Sequence, residues 1–450
     1  MPITTINPAS ALEGRYPVTA PSLRFWLVPL LLSLLFGYAL WQARALEVAP
    51  FAVPAPAEGA GDSALDRLLV PEFESRFAST GFHRHVHSSS IAPLPDGGLI
   101  SVWFAGSREG AEDVNIRTSR YDPATQRWGE EFKLISRETT ERVLQRDIRK
   151  LGNPVISLAP NGRLWLFYVS VSMGGWAGSA INAIHSDDGG DSWSAPRRLI
   201  TSPFLNISTL VRNPPVFHRD GSMGLPVYHE FLGKFAEYLY LSPDGRILDK
   251  FRISSGNHSL QPAIVPLGGD SALALLRNAG VEHGKVLATY TRDRGRTWSE
   301  HVPVAPWNPD SAVAAIGEGD GHILVALNDI ADGRFRLTLY QTDETLKNWR
   351  QVAVLDESPR PEEWVEPALF RDSLHRKYTA IAEDGEETPG MLAELQRHAE
   401  KRACRHGSCT FKYEYPTLIR AANGDFHMVY SWNNTLIKHV VFNHAWVERG

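Results

Sequence analysis

Two eight-residue segments constrain the fold more than anything else in the chain. Ser186–Trp193 (SDDGGDSW) and Thr291–Trp298 (TRDRGRTW) both have the form Ser/Thr-x-Asp-x-Gly-x-x-Trp. Thr342–Trp349 (TDETLKNW) keeps the length and the end residues but loses the Asp and the Gly. The pattern is that of a hairpin turn: the carboxylate accepts from turn amides, the glycine takes positive φ, and the indole packs back under the turn. A second element recurs around it, a short apolar strand, a Gly- or Asp-bearing turn and another apolar strand. Copies start at Ser89, Asn153, Asn213, Gln261, Asn308 and Tyr415. Repetition of such units along one chain predicts an all-β fold, a six-bladed β-propeller with about four strands per blade. An ordinary β-sandwich is the competing architecture.

The spacing breaks once. Between the copies at Asn308 and Tyr415 it is roughly twice that of the preceding copies, and Met391–Arg402 (MLAELQRHAEKR) reads as a helix. An inserted segment at about 357–412 is therefore expected. The alternative makes the stretch from Glu366 a seventh blade. The two cysteines, Cys404 and Cys409, fall in this insertion. Their spacing fits a local disulfide in an oxidising compartment better than a zinc site built with His398 or His406.

The N-terminus suggests export. Phe25–Trp41 (FWLVPLLLSLLFGYALW) carries no charge, and Arg15 and Arg24 precede it. The reading is a cytoplasmic tail at 1–24, a single transmembrane signal anchor at 25–41, a Pro/Ala/Gly-rich linker at 42–67 and the propeller at 68–450. The propeller then lies outside the cytoplasm, periplasmic or extracellular. A signal peptide cleaved near Ala43-Arg44-Ala45 is the alternative, giving a secreted protein. A net charge of −5 gives no basic domain of the kind nucleic-acid binding uses. The partners expected are a carbohydrate and, through the helix, a membrane.

The eight-residue turns are the Asp-boxes of sialidases and other secreted propellers, which speak to fold rather than activity. The resemblance extends further. His87-Ser88-Ser89-Ser90-Ile91, Trp103–Gly110 (WFAGSREG), Asp113-Val114, Asn153-Pro154-Val155, Gln261-Pro262, Asn308–Ser311, Tyr415-Pro416 and Ile437–Val440 resemble the bacterial predicted-neuraminidase, BNR-repeat family. The resemblance implies a sialidase-like exo-glycosidase with no cofactor, in which three arginines hold a sugar carboxylate, a Tyr–Glu pair supplies the nucleophile and an Asp is the acid/base. Matched by position, Tyr415 is the candidate nucleophile and Asp113 the acid/base, with Glu109 competing for that role. Arg277 falls at one arginine position. His87 stands where the first-blade arginine is expected, and no third arginine is evident near Asn308–Ser311.

A tyrosine suits an anionic sugar, because a neutral phenol repels a carboxylate less than Asp or Glu would, provided a base activates it. Glu230 is the better base. Glu414 adjoins Tyr415, and strand alternation points neighbours to opposite faces. Arg108, Glu109, Arg212, Asn213, Gln261, Asn308 and Lys438 complete the candidate substrate-binding set with His87 and Arg277. His83, His85 and His87 could share one strand face, but no carboxylate or Cys frames them as metal ligands. The second function class is a non-catalytic carbohydrate-binding or assembly propeller that keeps the pocket without the chemistry.

Overall fold

The computed structural model describes residues 23–45, 47–53, 70–79, 81, 83–202, 206–280, 284–382 and 389–450. It divides into two compact units, Met1–Val48 and Ala49–Gly450. In the first, helix α1 (Leu23–Ala45) contains Pro29, and its side chains from Trp26 to Trp41 are exposed. Among the described residues no helix is long and apolar enough to cross a membrane, so the anchor expected at 25–41 is not supported. The uncharged run is shorter than the ~20 residues a span requires. Nearly all of the expected tail at 1–24, and linker residues 54–67, lie outside the described residues.

Among its described residues, the second unit has six antiparallel sheets of four or five strands and one small three-stranded sheet. The innermost strands of the six are His85–Pro93, Lys150–Leu158, the interrupted pair Leu210–Val211 and Val216–Phe217, Ser259–Pro266, Ala314–Gly317 and Tyr413–Arg420. Each sheet touches the next at its inner strand and the sixth touches the first. This closed cycle is consistent with a β-propeller. Radial repetition of sheets leaves only short, protected strand edges. The last sheet is completed by chain from the other end: Phe73–Phe77 pairs with Leu436–Phe442 as its outer strand. Residues 49–53, read from sequence as linker, are also docked. Phe51 bridges His218, and the Phe51 N–H donates to the Gly269 carbonyl at 2.7 Å.

The repeated turns form as their chemistry requires. The Ser192 N–H and Oγ donate to the Asp188 carboxylate at 2.9 and 2.5 Å, and Trp193 Nε1 donates to the Gly190 carbonyl at 3.0 Å. The set recurs with Asp293, Thr297, Trp298 and Gly295. In the degenerate third turn, Leu346 occupies the glycine position at φ +55°. Asp343, one residue earlier than the usual Asp, accepts from Thr345 N and Asn348 Nδ2 instead.

Between the fifth sheet and the sixth lie a two-residue strand, Trp364–Val365, helices α3 (Pro367–Thr379) and α4 (Pro389–Ala403), and a hairpin of Cys404–Arg405 with Ser408–Thr410. (Helix α2, Arg137–Leu144, connects the first and second sheets.) The stretch from Glu366 is thus helical rather than a further blade. A disulfide joins Cys404 and Cys409.

Several histidines are buried among the described residues. Trp128 Nε1 can only donate, so His439 Nδ1 accepts its proton at 3.2 Å, and His439 Nε2 donates to His427 Nδ1 at 3.1 Å. Burial lowers the pKa of His427 to about 4 and holds that of His439 well below the usual value, and burial lowers His85 to about 2. These rings stay neutral when folded but gain a proton near pH 6.5 when unfolded. The unfolded chain therefore binds more protons below that pH, and stability, complete above pH ~6.5, falls as the pH drops. Each such histidine removes about 1.4 kcal/mol per pH unit in that window. Urea unfolding should give a steep loss between pH 6.5 and 5, shallower in a His427→Gln/His439→Gln variant. A flat profile over that range would refute the assignment.

Candidate active site

Four of the inner strands carry a bulge at the same place. The pairing register shifts between His87 and Ser90, Gly152 and Val155, Leu260 and Ala263, and Glu414 and Thr417. Within each bulge one non-glycine residue has positive φ: Ser88 (57°), Asn153 (42°), Gln261 (52°) and Tyr415 (60°). Asp310, just ahead of the fifth inner strand, joins them at 52°. A bulge re-aims a side chain that a regular strand would point elsewhere. Repeated around a ring, it brings distant residues together.

Tyr415 is the centre of the resulting cluster. Its phenol oxygen accepts from Gln261 Nε2 at 3.3 Å and from Arg277 Nη1 at 3.4 Å. The Arg212 guanidinium lies 4.8 Å from its ring centroid, and the His87 ring packs against it at 4.2 Å. Tyr228 stands beside it and accepts from Asn153 Nδ2 at 3.0 Å. Burial raises the Tyr228 phenol above the ordinary tyrosine range, with Tyr415 and Glu230 adding to the rise.

Three arginines surround this tyrosine. Arg277 Nε donates to Asp310 Oδ1 at 2.6 Å. Burial opposes its charge, but Tyr415 and Asp310 outweigh that and raise its pKa. Arg334 donates to Glu414 and, at 2.8 Å, to the Asp310 carbonyl. Sequence reasoning missed Arg334, which lies between the second and third strands of the fifth sheet, away from any repeated motif. Arg212 is 1% exposed. Among the described residues it donates to Thr417 Oγ1 and the Pro416 carbonyl, and its Nε has no hydrogen-bond partner there. Burial lowers its pKa to about 10.

Two carboxylates have opposite settings. Glu414 is buried, yet Arg334 first and His87 second hold its pKa far below the ordinary range against that burial. Glu230 donates its backbone N–H to Ser208 at 2.8 Å, while burial raises its carboxyl above the usual value, with Arg277 opposing. Burial likewise lowers His87, which lies 3.6 Å from Glu414.

The other candidates are placed as follows. Asp113 accepts from Ser107 N and Ser107 Oγ, both at 2.9 Å, inside its own loop. Glu109 Oε1 accepts from Trp176 Nε1 at 3.2 Å, and Arg108 is exposed at that loop's tip. Asn213 donates to the Gln261 and Pro262 carbonyls, stitching the third sheet to the fourth. Asn308 closes a turn, bonded to Ser311 and to the Asn278 N–H. Lys438 is not brought to Tyr415: its Nζ pairs with buried Asp356 at 2.9 Å. Of the histidine series, His83 pairs with Glu131, while His85 and His87 stay together with ring centroids 5.7 Å apart; both ring nitrogens of His85 are buried without a hydrogen-bond partner among the described residues.

A cavity of about 430 Å³ opens at the opposite end of the ring axis. It is lined by later residues of the same strands, such as Pro93, Leu158, Val265 and Ile419. His87 and Pro93 are six residues apart, roughly 20 Å along a strand. The cavity's lining is mainly apolar and does not include Tyr415.

A family model described as a BNR repeat-like domain matches residues 97–428. The chain belongs to that BNR-repeat, sialidase-like family. Among solved structures, the Hadza microbial sialidase Hz136 is similar at a TM-score of 0.59 and 15% identity, covering 80% of this chain and 66% of that one. A protein of unknown function from Dyadobacter fermentans matches at 0.58 and 11%, covering 83% and 100%. The intramolecular trans-sialidase from Ruminococcus gnavus matches at 0.54 and 12%, covering 82% and 97%. At these identities the likeness is one of fold. No curated protein matches in sequence.

The Glu414–Arg334 pair gives a direct test of the site's electrostatics. Removing one member of a buried pair strands the other charge, at a cost of about 3–5 kcal/mol. Arg334→Met should lose that much in chemical denaturation, and adding Glu414→Gln should recover much of it. A single-variant loss below about 1 kcal/mol would show that Glu414 is solvated.

Proposed function

We propose that this chain is a six-bladed, sialidase-like exo-glycosidase that removes an acidic terminal sugar from a glycan. The observation that carries the reading is the setting of Tyr415: one phenol oxygen at the meeting point of Arg277 and Gln261, with Arg212 against its ring and Arg334 close by. Donors aimed at that oxygen stabilise negative charge developing on it, as a nucleophile requires. Arg277 keeps a terminal nitrogen without a hydrogen-bond partner among the described residues, so it can take a carboxylate in addition to Asp310. Glu230, with its raised pKa and no hydrogen bond to its carboxylate among the described residues, is the base for the Tyr415 proton.

In this mechanism the Tyr415 oxygen bonds to the anomeric carbon as the bond to the leaving oxygen breaks. An acid on the loop at 107–114 protonates that oxygen. Water then displaces the tyrosine, giving net retention. The purified protein should hydrolyse at least one fluorogenic glycoside of an acidic sugar, α-sialosides included. Tyr415→Phe should reduce turnover by roughly a hundredfold or more. Arg277→Ala should weaken an anionic ligand about tenfold or more and spare a neutral analogue. Sugar binding without hydrolysis by the intact protein would instead favour the non-catalytic binding module.

We also place the protein outside the cytoplasm. The Cys404–Cys409 disulfide supports this, because such bridges persist in oxidising compartments. Protein taken from its native compartment without reduction should have a mass lower by two hydrogens than the reduced form. Two free thiols would defeat the placement.

A further inference from the structure

The loop between Leu99–Gly106 and Asn115–Asp122 offers two carboxylates for the acid, and their surroundings differ. Asp113 uses both oxygens on Ser107, where the chain leaves the strand, so it ties the base of the loop. Glu109 reaches out of the loop. One oxygen accepts from Trp176 Nε1, and the other makes no hydrogen bond among the described residues.

The partner that holds Glu109 is itself built in. Lys150 Nζ lies 4.0 Å from the Trp176 ring centroid, close enough for a cation–π contact. Two glycines make the space. A Cβ on Gly152 would come within 2.5 Å of Trp176 Cη2, and one on Gly110 within 3.2 Å of Lys150 Cδ. Gly152 belongs to the bulge of the second inner strand, so the device that aims the pocket residues also seats this indole. The Glu109 charge is felt by His87, by Glu230 and by Arg402 at the end of α4, which places it on the Tyr415 side.

We propose that Glu109, held by the positioning residues Trp176 and Lys150, is the general acid/base of this site, and that Asp113 only shapes its loop. The assignment rests on the glycosidase reading above. In the first step the Glu109 carboxyl gives its proton to the glycosidic oxygen as the C–O bond breaks and the Tyr415 oxygen bonds to the anomeric carbon. In the second its carboxylate takes a proton from water, whose oxygen bonds to that carbon and displaces the tyrosine.

The test uses the full chain, a 4-methylumbelliferyl glycoside that the wild type cleaves, and the same sugar linked to galactose. Glu109→Ala should lose roughly 10²–10⁴-fold on the disaccharide, where protonation of the leaving group matters, and much less on the aryl glycoside at its first step. Azide should restore aryl-glycoside turnover, with glycosyl azide as product. Glu109→Gln, nearly isosteric, repeats the comparison if the alanine variant unfolds. Trp176→Phe should lower kcat on the disaccharide more than it changes KM. Asp113→Ala should lower the melting temperature and show no azide rescue. Azide rescue of Asp113→Ala with none for Glu109→Ala would overturn the assignment while leaving the glycosidase reading intact. A wild type inactive on every glycoside would overturn both.

Discussion

A bulky aromatic residue at φ +60° is costly, of the order of 1–3 kcal/mol, and persists only where its surroundings over-determine it. Tyr415 is held from every side: Pro416 follows it, Arg212 and His87 flank its ring, and Gln261 and Arg277 fix its oxygen. The same backbone departure at Ser88, Asn153 and Gln261 means that four sheets share it. Arg212 is buried beside the Tyr415 strand. It hydrogen-bonds the backbone and side chain just past the Tyr415 bulge, so the bulge and the buried guanidinium stabilise each other.

Asp310 organises the charges around that tyrosine. Its carboxylate takes Arg277 and its carbonyl takes Arg334, so one residue in a left-handed turn sets two guanidiniums. Glu414 neutralises Arg334, which leaves Arg212 without a carboxylate partner among the described residues. In this low-dielectric setting each charge interaction is worth more than it would be in water. Burial keeps His85 and His87 neutral in the same region, so they add hydrogen-bonding capacity without adding charge.

The hairpins were legible because each one repeats a short pattern set by local turn chemistry. The bulges were half legible. Asn153-Pro154, Gln261-Pro262 and Tyr415-Pro416 stood out as recurring dipeptides, but nothing in them says that their first residue turns toward the axis. Arg334 was not legible, since a charged residue in a polar loop carries no periodic signal and its role depends on Asp310 and Glu414, 24 and 80 residues away. Closure by Phe73–Phe77 was equally hidden: FESRF has the mixed pattern of an exposed edge, and its partner is at the far end of the chain. Lys438 misled because its strand, Leu436–Phe442, lies two places out from the inner strand of Tyr415, where its Nζ meets Asp356.

The inserted segment then acquires a physical role in the site. Buried Asp356, at the end of the fifth sheet, takes Lys438 of the sixth sheet at 2.9 Å, Lys377 of α3 at 2.8 Å and the Tyr430 hydroxyl at 2.8 Å. Burial alone would raise its pKa, but the two lysines reverse that, so the carboxylate is charged and bonded to all three. This cluster fastens α3 to the last two sheets. Phe370 and Leu374 of α3 and Leu395 and Ala399 of α4 share the apolar core of those sheets. The C-terminal end of α4 is thereby held where Arg402 donates to the Arg84 carbonyl and lies within the field of Glu109 and Glu414. Buried packing and a buried ion cluster therefore fix the insertion against the last two sheets. The disulfide just beyond Arg402 closes the short hairpin that returns the chain to the Tyr415 strand.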